Sequence, residues 1–182
     1  MGFDNESEKV VMHIMRPAFS IDGLNAFINL LPPDICMVEL GSYSGESTKL
    51  FLRKAKILHC VDLWVPYEDY GNPIGYMEEA EAAFDELQRQ NPDKIIKHKI
   101  DSIEASKLFE NHSFDAVYID CDHSYPAVRA DILAWRPKVK LGGILAGHDY
   151  GMCHIGVKLA VDELIGPPDC CFSDSSWMKV VA

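Results

Sequence analysis

The chain has 182 residues, a length typical of one compact domain, and 48% of them are hydrophobic, enough for a buried core. Its 17 lysines and arginines are outnumbered by 28 aspartates and glutamates, so the formal net charge is −11. This balance disfavours nucleic acid and anionic membrane surfaces, which require clustered Lys and Arg, and leaves a small neutral or cationic molecule as the expected partner.

The sequence predicts a cytoplasmic protein with no membrane anchor. No run of about 18 apolar residues is present, and the N-terminal "MGFDNESEKVVMH" is acidic, unlike a signal peptide. The six cysteines form no C-x-x-C pair, and three of them lie in or beside apolar strand-like runs. This pattern favours reduced, buried thiols.

Two short helical patterns open the chain and predict an N-terminal helical segment over residues 1–33. Their apolar positions, with helical spacing, are Val10, Val11, Ile14 and Met15, then Ile21, Leu24, Ile28 and Leu31. Pro32 and Pro33 end the second pattern because proline cannot continue a helix.

From residue 34 onward, strand-length apolar runs alternate with helical patterns. The predicted strands are residues 35–40, 57–61, 95–100, 116–119 and 144–146. This alternation is typical of right-handed βαβ crossovers and of a mostly parallel sheet with helices on both faces. Two further pieces, residues 170–172 and 177–181, are joined by a turn too short for a crossover, which predicts an antiparallel hairpin. We therefore predict a single α/β domain over residues 1–182, with its core in residues 34–182.

An acidic residue stands at the end of each of the five predicted parallel strands. Ligands of open α/β sheets bind beyond the carboxyl ends of the strands, so these positions are candidate site residues. They are residues 39–45, Asp62, Asp101 with Ser102, residues 120–123, and His148 with Asp149. Acids at all five ends indicate one shared acidic site.

The loop G-S-Y-S-G, from Gly41 to Gly45, lacks the G-x-G-x-x-G spacing that binds a pyrophosphate. Its glycines permit a close backbone approach to a ligand, although the loop alone also suits a plain strand-to-helix turn. Asp62 lies 21 residues after Gly41, where nucleotide-binding folds often place an acid on the ribose hydroxyls; a solvated turn residue is the alternative. Together these features indicate a nucleoside without phosphates.

The motifs "VELGSYSGEST", "VDLW", "DSIEA", "YIDCDHSY" and "GGILAGHDY" followed by "GVKLAVDEL" resemble the class I S-adenosylmethionine-dependent methyltransferases. The resemblance covers residues 35–181 and is nearest to the small branch that includes sugar and macrolide O-methyltransferases. It implies a Rossmann-like fold, a seven-stranded, mostly parallel sheet with a C-terminal antiparallel hairpin, and O-methylation of a small hydroxylated molecule.

The resemblance also implies which residues bind the cofactor, S-adenosylmethionine. They are Glu39, Gly41, Ser42, Tyr43, Gly45, Asp62, Asp101, Ser102 and Asp120. Glu39 and the loop backbone would hold the methionine part and the ribose, with Glu39 acting through water or by orienting the loop. Asp62 would receive the ribose hydroxyls, and Asp101 with Ser102 would meet the adenine edge. Acids suit a cofactor with a cationic sulfonium and amino group.

Metal-dependent relatives imply a divalent ion, Mg²⁺ or Mn²⁺, held by Asp120, His148 and Asp149. A histidine at position 148 departs from the usual acid or amide, and imidazole suits Mn²⁺, Fe²⁺ or Zn²⁺ better than Mg²⁺. Either the metal differs, or His148 turns away and the site is weak. Asp122 matches the general base of some sugar methyltransferases. Without metal, His123 or His148 could serve as the base, and a helix cap is the alternative role for His123.

Two other functions remain open. The side chains of His123, His148, Asp120 and Asp149 could form the two-imidazole, one-carboxylate arrangement of a non-haem Fe(II) hydroxylase. A non-catalytic module that binds the cofactor or a partner is the third hypothesis.

Three expectations concern the surroundings of the site. Residues 63–76, rich in aromatics, proline and glycine, form either a flexible lid or an ordinary surface loop. On the helix that follows "CDHSY", Asp131 is expected on a solvated face or in a cap contact, and Trp135 in the core. A homodimer would complete such a pocket in many proteins, and no dimer face is identifiable in the sequence.

Overall fold

The computed structural model describes residues 18–69 and 72–182, so the first predicted helical pattern, residues 10–15, lies outside the described part. The described helices are α1 (Ala18–Leu30), α2 (Glu46–Phe51), α3 (Met77–Gln90), α4 (Ser102–Ser106), α5 (Tyr125–Trp135) and α6 (Ile155–Ile165). The described strands are β1 (Ile35–Leu40), β2 (Ala55–Asp62), β3 (Tyr67–Asp69), β4 (Asn72–Ile74), β5 (Ile95–Lys99), β6 (Phe114–Ile119), β7 (Val139–Gly147), β8 (Cys170–Cys171) and β9 (Trp177–Val180).

Seven of these strands form one sheet in the spatial order β5-β2-β1-β6-β7-β9-β8. The first five run parallel, whereas β9 lies antiparallel to both β7 and β8. This architecture confirms the predicted Rossmann-like fold with its C-terminal antiparallel hairpin. Because the strand order reverses direction between β1 and β6, the carboxyl ends of these two strands border the crevice where such folds bind ligands.

Helices cover both faces of the sheet, and each face has its own hydrophobic core. On one face, Phe27 of α1 and Phe51 of α2 pack against Tyr118 of β6, with ring centroids 5.4 and 4.9 Å from the tyrosine ring. On the other face, Trp135 of α5 is fully buried and donates a hydrogen bond from Nε1 to the carbonyl oxygen of Ser102. The sequence-based assignment of Trp135 to the core is therefore confirmed.

Strand β7 is longer than the predicted residues 144–146. Gly142 and Gly143 interrupt the apolar pattern that identifies a buried strand. Gly142 has a φ of +76°, a left-handed conformation that glycine adopts without strain, and the pairing of β7 with β6 is irregular at this point. The glycine pair marks an irregularity within the strand, not its beginning.

All six cysteines are free thiols, in line with the expected reduced state. Burial is confirmed only in part. Cys60 is buried, and Cys36 and Cys121 are half-buried, but Cys153, Cys170 and Cys171 are exposed. The last two form β8, which lies at the edge of the sheet and is exposed at both of its residues.

A histidine pair links β2 to β5 and makes stability sensitive to acid. The ring nitrogens His59 Nδ1 and His98 Nε2 lie 2.9 Å apart, and the His59 ring also packs against Phe109 and Phe114. Burial, together with the charge of His98, lowers the pKa of His59 to about 4. An unfolded histidine titrates near pH 6.5, so the unfolded chain takes up the proton first, and acidification favours unfolding.

We expect His59 to lower the unfolding free energy of the wild type by about 1–2 kcal/mol between pH 6.5 and pH 4, relative to a variant that lacks this imidazole; the figure is discounted for the partial exposure of His59. His59→Phe should lack this contribution, because phenylalanine packs among the same rings and does not titrate, while the other titrating groups act in both proteins. Urea denaturation at pH 4.5, 5.5, 6.5 and 7.5 measures the effect. Parallel curves for the two proteins would contradict the assignment.

Candidate functional site

A cavity of about 380 Å³ lies at the carboxyl ends of β1, β2, β5 and β6, where the strand order reverses. Its wall contains seven of the predicted site residues: Gly41, Tyr43, Asp62, Asp101, Ser102, Asp120 and Asp122. Apolar side chains complete the wall, among them Val61, Leu63, Val65, Met77 and Ile103. An apolar cavity of this size with a few carboxylates suits a nucleoside-sized molecule.

Gly41 brings the loop after β1 against the end of β6. Its φ is +84°, and a Cβ at this position would lie 1.9 Å from the carbonyl oxygen of Asp120. The Gly41 N–H donates to the carbonyl oxygen of Val61 at 2.8 Å, which ties the loop to β2 as well. Only a residue without a side chain fits here, so the glycine is required by close backbone packing within the protein.

Asp62 ends β2 and fixes the loop backbone opposite it. Its Oδ2 accepts a hydrogen bond from the Tyr43 N–H at 2.9 Å, and its Oδ1 accepts one from the Trp64 N–H at 2.8 Å. Burial raises the pKa of Asp62 above its usual value, although these backbone donors oppose the shift. The N–H groups of Leu63 and Ser42 act on the same carboxylate, and Asp62 also lines the cavity, where it can accept hydrogen bonds from a ligand.

Glu39 lies beneath the same loop and is fully buried. Its carboxylate accepts hydrogen bonds from the hydroxyls of Ser42 at 3.0 Å, Ser47 at 2.5 Å and Thr48. Burial raises the pKa of Glu39 to about 7, although the three hydroxyls oppose the shift. These contacts connect β1, the loop and the first turn of α2, and they favour a loop-orienting role for Glu39. Gly45, with a φ of +85°, directly precedes this helix.

The opposite wall of the cavity is formed by the start of α4. Asp101 caps this helix by accepting hydrogen bonds from the N–H groups of Ile103 at 2.9 Å and Glu104 at 3.2 Å. Ser102, the first helical residue, directs its hydroxyl to Asp131 Oδ1 at 2.5 Å. Asp101 therefore positions the backbone at this end of the cavity, besides contributing its own carboxylate to the wall.

Asp131 was expected on a solvated face or in a cap contact; the solvated face is wrong, whereas its carboxylate does contact Ser102 at the start of a neighbouring helix. The side chain is only 3% exposed, and the residue lines the cavity. Burial raises its pKa to about 7, opposed by the hydrogen bond from Ser102. The burial of Asp131 could have been predicted from helical spacing. The residue lies three positions after Val128 and four before Trp135, and both of these lie on the buried face of α5.

Histidines and carboxylates meet beside the cavity in what we term the imidazole cluster: Asp120, His123, His148, Asp149 and His154. His123 Nε2 lies 3.0 Å from Asp149 Oδ2 and 3.7 Å from Asp120 Oδ1. His148 Nδ1 lies 3.1 and 3.8 Å from the same two oxygens, so this imidazole faces the carboxylates. His154 Nε2 lies 3.7 Å from Asp149 Oδ1.

The cluster contains two groups of possible metal ligands, each with its donor atoms within 4.8 Å of one another. The first is the predicted set of Asp120, His148 and Asp149, and the second joins His123, Asp149 and His154. The residue chemistry fits a divalent cation, since imidazole and carboxylate groups converge from separate loops. The sequence did not identify His154 as a candidate ligand, because this residue follows no predicted strand and lies in the turn-rich segment "GMCHIG".

The carboxylates of the cluster strongly favour a positive charge between them. Burial lowers the pKa of His123, but hydrogen bonding and charge interactions with Asp120 and Asp149 outweigh it and raise the pKa to about 11. For Asp149, burial raises the pKa, but interactions with His123 and His148 hold it well below its usual value. A protonated imidazole or a bound cation could supply this charge, and a protonated His123 cannot accept a proton.

Asp122 differs from the cluster acids because it is exposed at the cavity wall. Its Oδ1 accepts a hydrogen bond from the Ser124 N–H at 2.7 Å, which orients the side chain. The other oxygen can meet a molecule that enters the cavity. Among the acids of the site, Asp122 therefore has the accessibility that a general base requires.

Residues 63–76 contain the strands β3 and β4, which pair with each other and not with the main sheet. Leu63 and Val65 at its start and Met77 just beyond it line the cavity, and Tyr70 lies outside the described residues. A lid role for this segment stays a prediction. Among the described helices, none has the length and apolar character needed to cross a membrane.

A family profile described as "Methyltransferase domain" matches residues 38–150. The match runs from β1 to the loop after β7 and includes all residues that line the cavity, whereas His154 lies beyond it. A search of curated proteins gives no match.

Several solved structures share the fold. A Corynebacterium glutamicum protein has a TM-score of 0.66 and 13% identity, covering 97% of this chain and 88% of its own. A Streptococcus mutans protein provisionally named a methyltransferase, in complex with SAH, has a TM-score of 0.60 and 12% identity, covering 90% and 97%. An rRNA methylase from Streptococcus thermophilus has a TM-score of 0.61 and 11% identity, covering 92% and 99%. At these identities the likeness concerns the fold alone.

Proposed function

Because this chain belongs to the methyltransferase-domain family, whose members use S-adenosylmethionine, we propose that its acceptor is a hydroxyl group of a small molecule and that a divalent cation assists the transfer. The observation that carries the proposal is the position of Asp120. This residue lines the cavity and also lies within 4 Å of ring nitrogens of His123 and His148. A cofactor and an acceptor bound near a cation can therefore meet at one carboxylate.

The cavity residues have distinct roles in this proposal. The carboxylate of Asp62 accepts hydrogen bonds from the two ribose hydroxyls, and the backbone of the Gly41–Tyr43 turn lies along the ribose and methionine parts. Asp101, Ser102 and the buried Asp131 face the adenine edge. The surrounding acids favour a ligand whose sulfonium and amino groups are cationic.

S-adenosylmethionine supplies an activated methyl group, and the protein must hold an acceptor oxygen in line with it and relieve that oxygen of its proton. We assign proton removal to Asp122, because its carboxylate is accessible and oriented by Ser124. Asp120, His148 and Asp149 would hold a divalent cation, which lowers the pKa of a coordinated hydroxyl. His123, with its raised pKa, would act as a hydrogen-bond donor.

A nucleic-acid acceptor is disfavoured in this proposal. The formal net charge is −11, and Asp120, Asp122 and Asp149 stand together near the reaction centre. Phosphates would be repelled from such a surface, and binding of nucleic acid depends on Lys and Arg that neutralise phosphates. We also propose a cytoplasmic setting, which the six free thiols support, and a homodimer as one way to complete the acceptor pocket.

An iron-dependent hydroxylase is the second candidate, favoured by the imidazoles of His123 and His148, whose ring nitrogens lie 3.0 and 3.1 Å from Asp149 Oδ2. The two enzymes differ in their need for oxygen. A methyltransferase turns over its acceptor equally well under nitrogen, whereas a hydroxylase stops without oxygen.

The proposed function is tested with S-adenosylmethionine labelled in its methyl group and a panel of sugars, catechols and other polyols, with and without EDTA and Mn²⁺. We expect label to appear in at least one hydroxylated compound and not in ribosomal RNA. Calorimetry with S-adenosylhomocysteine accompanies the assay. Absence of binding at millimolar ligand would overturn the proposal, and binding without turnover on any acceptor would favour the non-catalytic module.

Asp122→Asn should lower kcat by a factor of about 100 or more, because a positioned general base contributes on this scale. The affinity for S-adenosylhomocysteine should stay within about twofold, since Asn keeps an oxygen that can accept from the Ser124 N–H. Single-turnover kinetics and calorimetry measure the two quantities. The matched control is Asp93→Asn, an exposed acid after α3, which should change neither. A kcat within threefold of wild type would exclude Asp122 as the base.

A further inference from the structure

We propose that His123, Asp149 and His154 form a binding site for a transition-metal ion of the Zn²⁺ class. The site adjoins the Asp120, His148 and Asp149 set and shares Asp149 with it. It differs in composition, because it offers two imidazoles and one carboxylate, while the neighbouring set offers one imidazole and two carboxylates. The site goes beyond the proposed methyl transfer and does not depend on it.

The distances suit one ion between the three side chains. His123 Nε2 lies 3.0 Å from Asp149 Oδ2, His154 Nε2 lies 3.7 Å from Asp149 Oδ1, and one donor atom from each residue falls within 4.8 Å of the others. Ligands about 2.0–2.1 Å from a tetrahedral ion stand about 3.3 Å apart, so only small side-chain adjustments would complete the coordination.

The backbone brings the two histidines together by a close helix contact. His123 follows β6, and His154 directly precedes α6, yet their ring centroids are 4.5 Å apart. Gly156, in the first turn of α6, makes this approach possible. A Cβ there would lie 2.5 Å from the carbonyl oxygen of His123 and 2.6 Å from the N–H nitrogen of Tyr125. The helix therefore packs directly on the chain that carries His123, and His154 is placed beside it.

The ligand chemistry selects the class of ion. Imidazole nitrogen suits Zn²⁺, Co²⁺, Ni²⁺ and Fe²⁺, whereas Mg²⁺ prefers six oxygen ligands in near-ideal octahedral geometry. The three side chains are 16%, 17% and 27% exposed for His123, Asp149 and His154. An ion can therefore reach them from solvent, and water would complete a four-coordinate site.

A second carboxylate adds to the attraction for a cation. Asp120 Oδ1 lies 3.7 Å from His123 Nε2, so an ion held by the three ligands would lie close to two negative charges. The same arrangement also suits an ion-pair network around a protonated His123, in which no metal takes part. The two states differ in whether His154 is needed, because a metal ion would require its imidazole as a ligand, whereas the ion pair between His123 and Asp149 forms without it.

The test uses the full chain, stripped with EDTA and passed through a metal-free column, and titrated by calorimetry with Zn²⁺ and separately with Mg²⁺. We expect one equivalent of Zn²⁺ to bind at least 100-fold more tightly than Mg²⁺. His154→Ala should lose at least tenfold in Zn²⁺ affinity while its Mg²⁺ affinity changes less than twofold. Co²⁺ gives a spectroscopic readout, since the visible bands of a four-coordinate, imidazole-bound ion should disappear in this variant.

Two further variants separate the neighbouring sites. His112→Asn removes an exposed imidazole outside the cluster and should bind Zn²⁺ as wild type does; asparagine tolerates the left-handed φ of +59° at this position. Asp120→Asn should retain most of the Zn²⁺ affinity, because Asp120 is not one of the three ligands. Thermal unfolding of each variant without metal checks that the fold is intact.

The proposal is overturned if His154→Ala keeps the Zn²⁺ affinity of wild type, or if wild type binds Zn²⁺ no more tightly than Mg²⁺. It is also overturned if Asp120→Asn abolishes Zn²⁺ binding and His154→Ala does not, because the ion would then occupy the neighbouring set. Binding of S-adenosylhomocysteine, measured on the same samples, tests the proposed function independently of every one of these outcomes.

Discussion

Replacing Asp62 with alanine is expected to weaken the binding of S-adenosylhomocysteine by two to three orders of magnitude. The carboxylate of Asp62 is oriented by backbone N–H groups, which include those of Tyr43 and Trp64, and it lines the cavity where the ribose hydroxyls would bind. The variant loses two charge-assisted hydrogen bonds, each of about 1.5–3 kcal/mol. A tenfold change in affinity corresponds to about 1.4 kcal/mol, so the expected range follows once water partly replaces the lost bonds. Calorimetry at neutral pH measures the change.

The alanine variant also removes the acceptor for the Tyr43 and Trp64 N–H groups, so a control must keep the loop in place. Asp62→Asn retains one carbonyl oxygen and should lose less affinity than Asp62→Ala. Thermal unfolding of both variants reports on the loop separately from the ligand. If Asp62→Ala binds S-adenosylhomocysteine within fivefold of wild type, Asp62 does not contact the ribose.

Gly41→Ala should destabilise the protein by about 3–5 kcal/mol and abolish cofactor binding. A left-handed alanine alone costs about 1–2 kcal/mol, and forcing the new Cβ away from the Asp120 carbonyl adds a comparable or larger amount. The collision at 1.9 Å involves backbone atoms, which cannot rotate away as a side chain can. Because the obstacle is the end of β6, relief requires a shift of the loop or of the strand that bears Asp120. Urea denaturation and calorimetry measure the two effects.

Gly142→Ala is the matched control, because Gly142 also has a positive φ, +76°, but a Cβ there meets no atom within 4 Å. It should cost only about 1–2 kcal/mol, from the left-handed conformation itself, and leave cofactor binding unchanged. Equal losses in the two variants would mean that the close approach of Gly41 to Asp120 is unimportant.

The fold was predictable where a buried strand is apolar at nearly every position. The predicted residues 35–40 coincide with β1, because every position of this strand is buried or nearly so. The same signal predicts too short a range for β7, because Gly142 and Gly143 lie in an irregular, partly exposed part of the strand. The paired strands β3 and β4 were not identified, since three residues are too few to show a periodicity and β4 also contains a proline.

The site residues that could be predicted from the sequence are those at the ends of strands. Asp62, Asp101 and Asp120 follow strands and line one cavity, because parallel strands deliver their carboxyl ends to one edge of the sheet. Asp131 and His154 lie outside that rule. Asp131 reaches the cavity from the inner face of α5, and His154 reaches His123 only because α6 packs tightly at Gly156, a long-range contact without a local pattern.

Asp120 belongs at once to the wall of the cavity and to the imidazole cluster. Because the two sites share this residue, binding of the cofactor in the cavity and binding of a cation in the imidazole cluster are thermodynamically linked. A cation at the cluster would neutralise part of the negative charge that a sulfonium would otherwise meet, and reciprocity requires each ligand to alter the affinity of the other by the same factor. The transferred methyl group takes the sulfonium charge with it, because S-adenosylhomocysteine is a neutral thioether. The affinity for the cation should therefore be higher when S-adenosylhomocysteine is bound than when S-adenosylmethionine is bound. The occupancy of the metal site would then rise as the reaction converts one into the other.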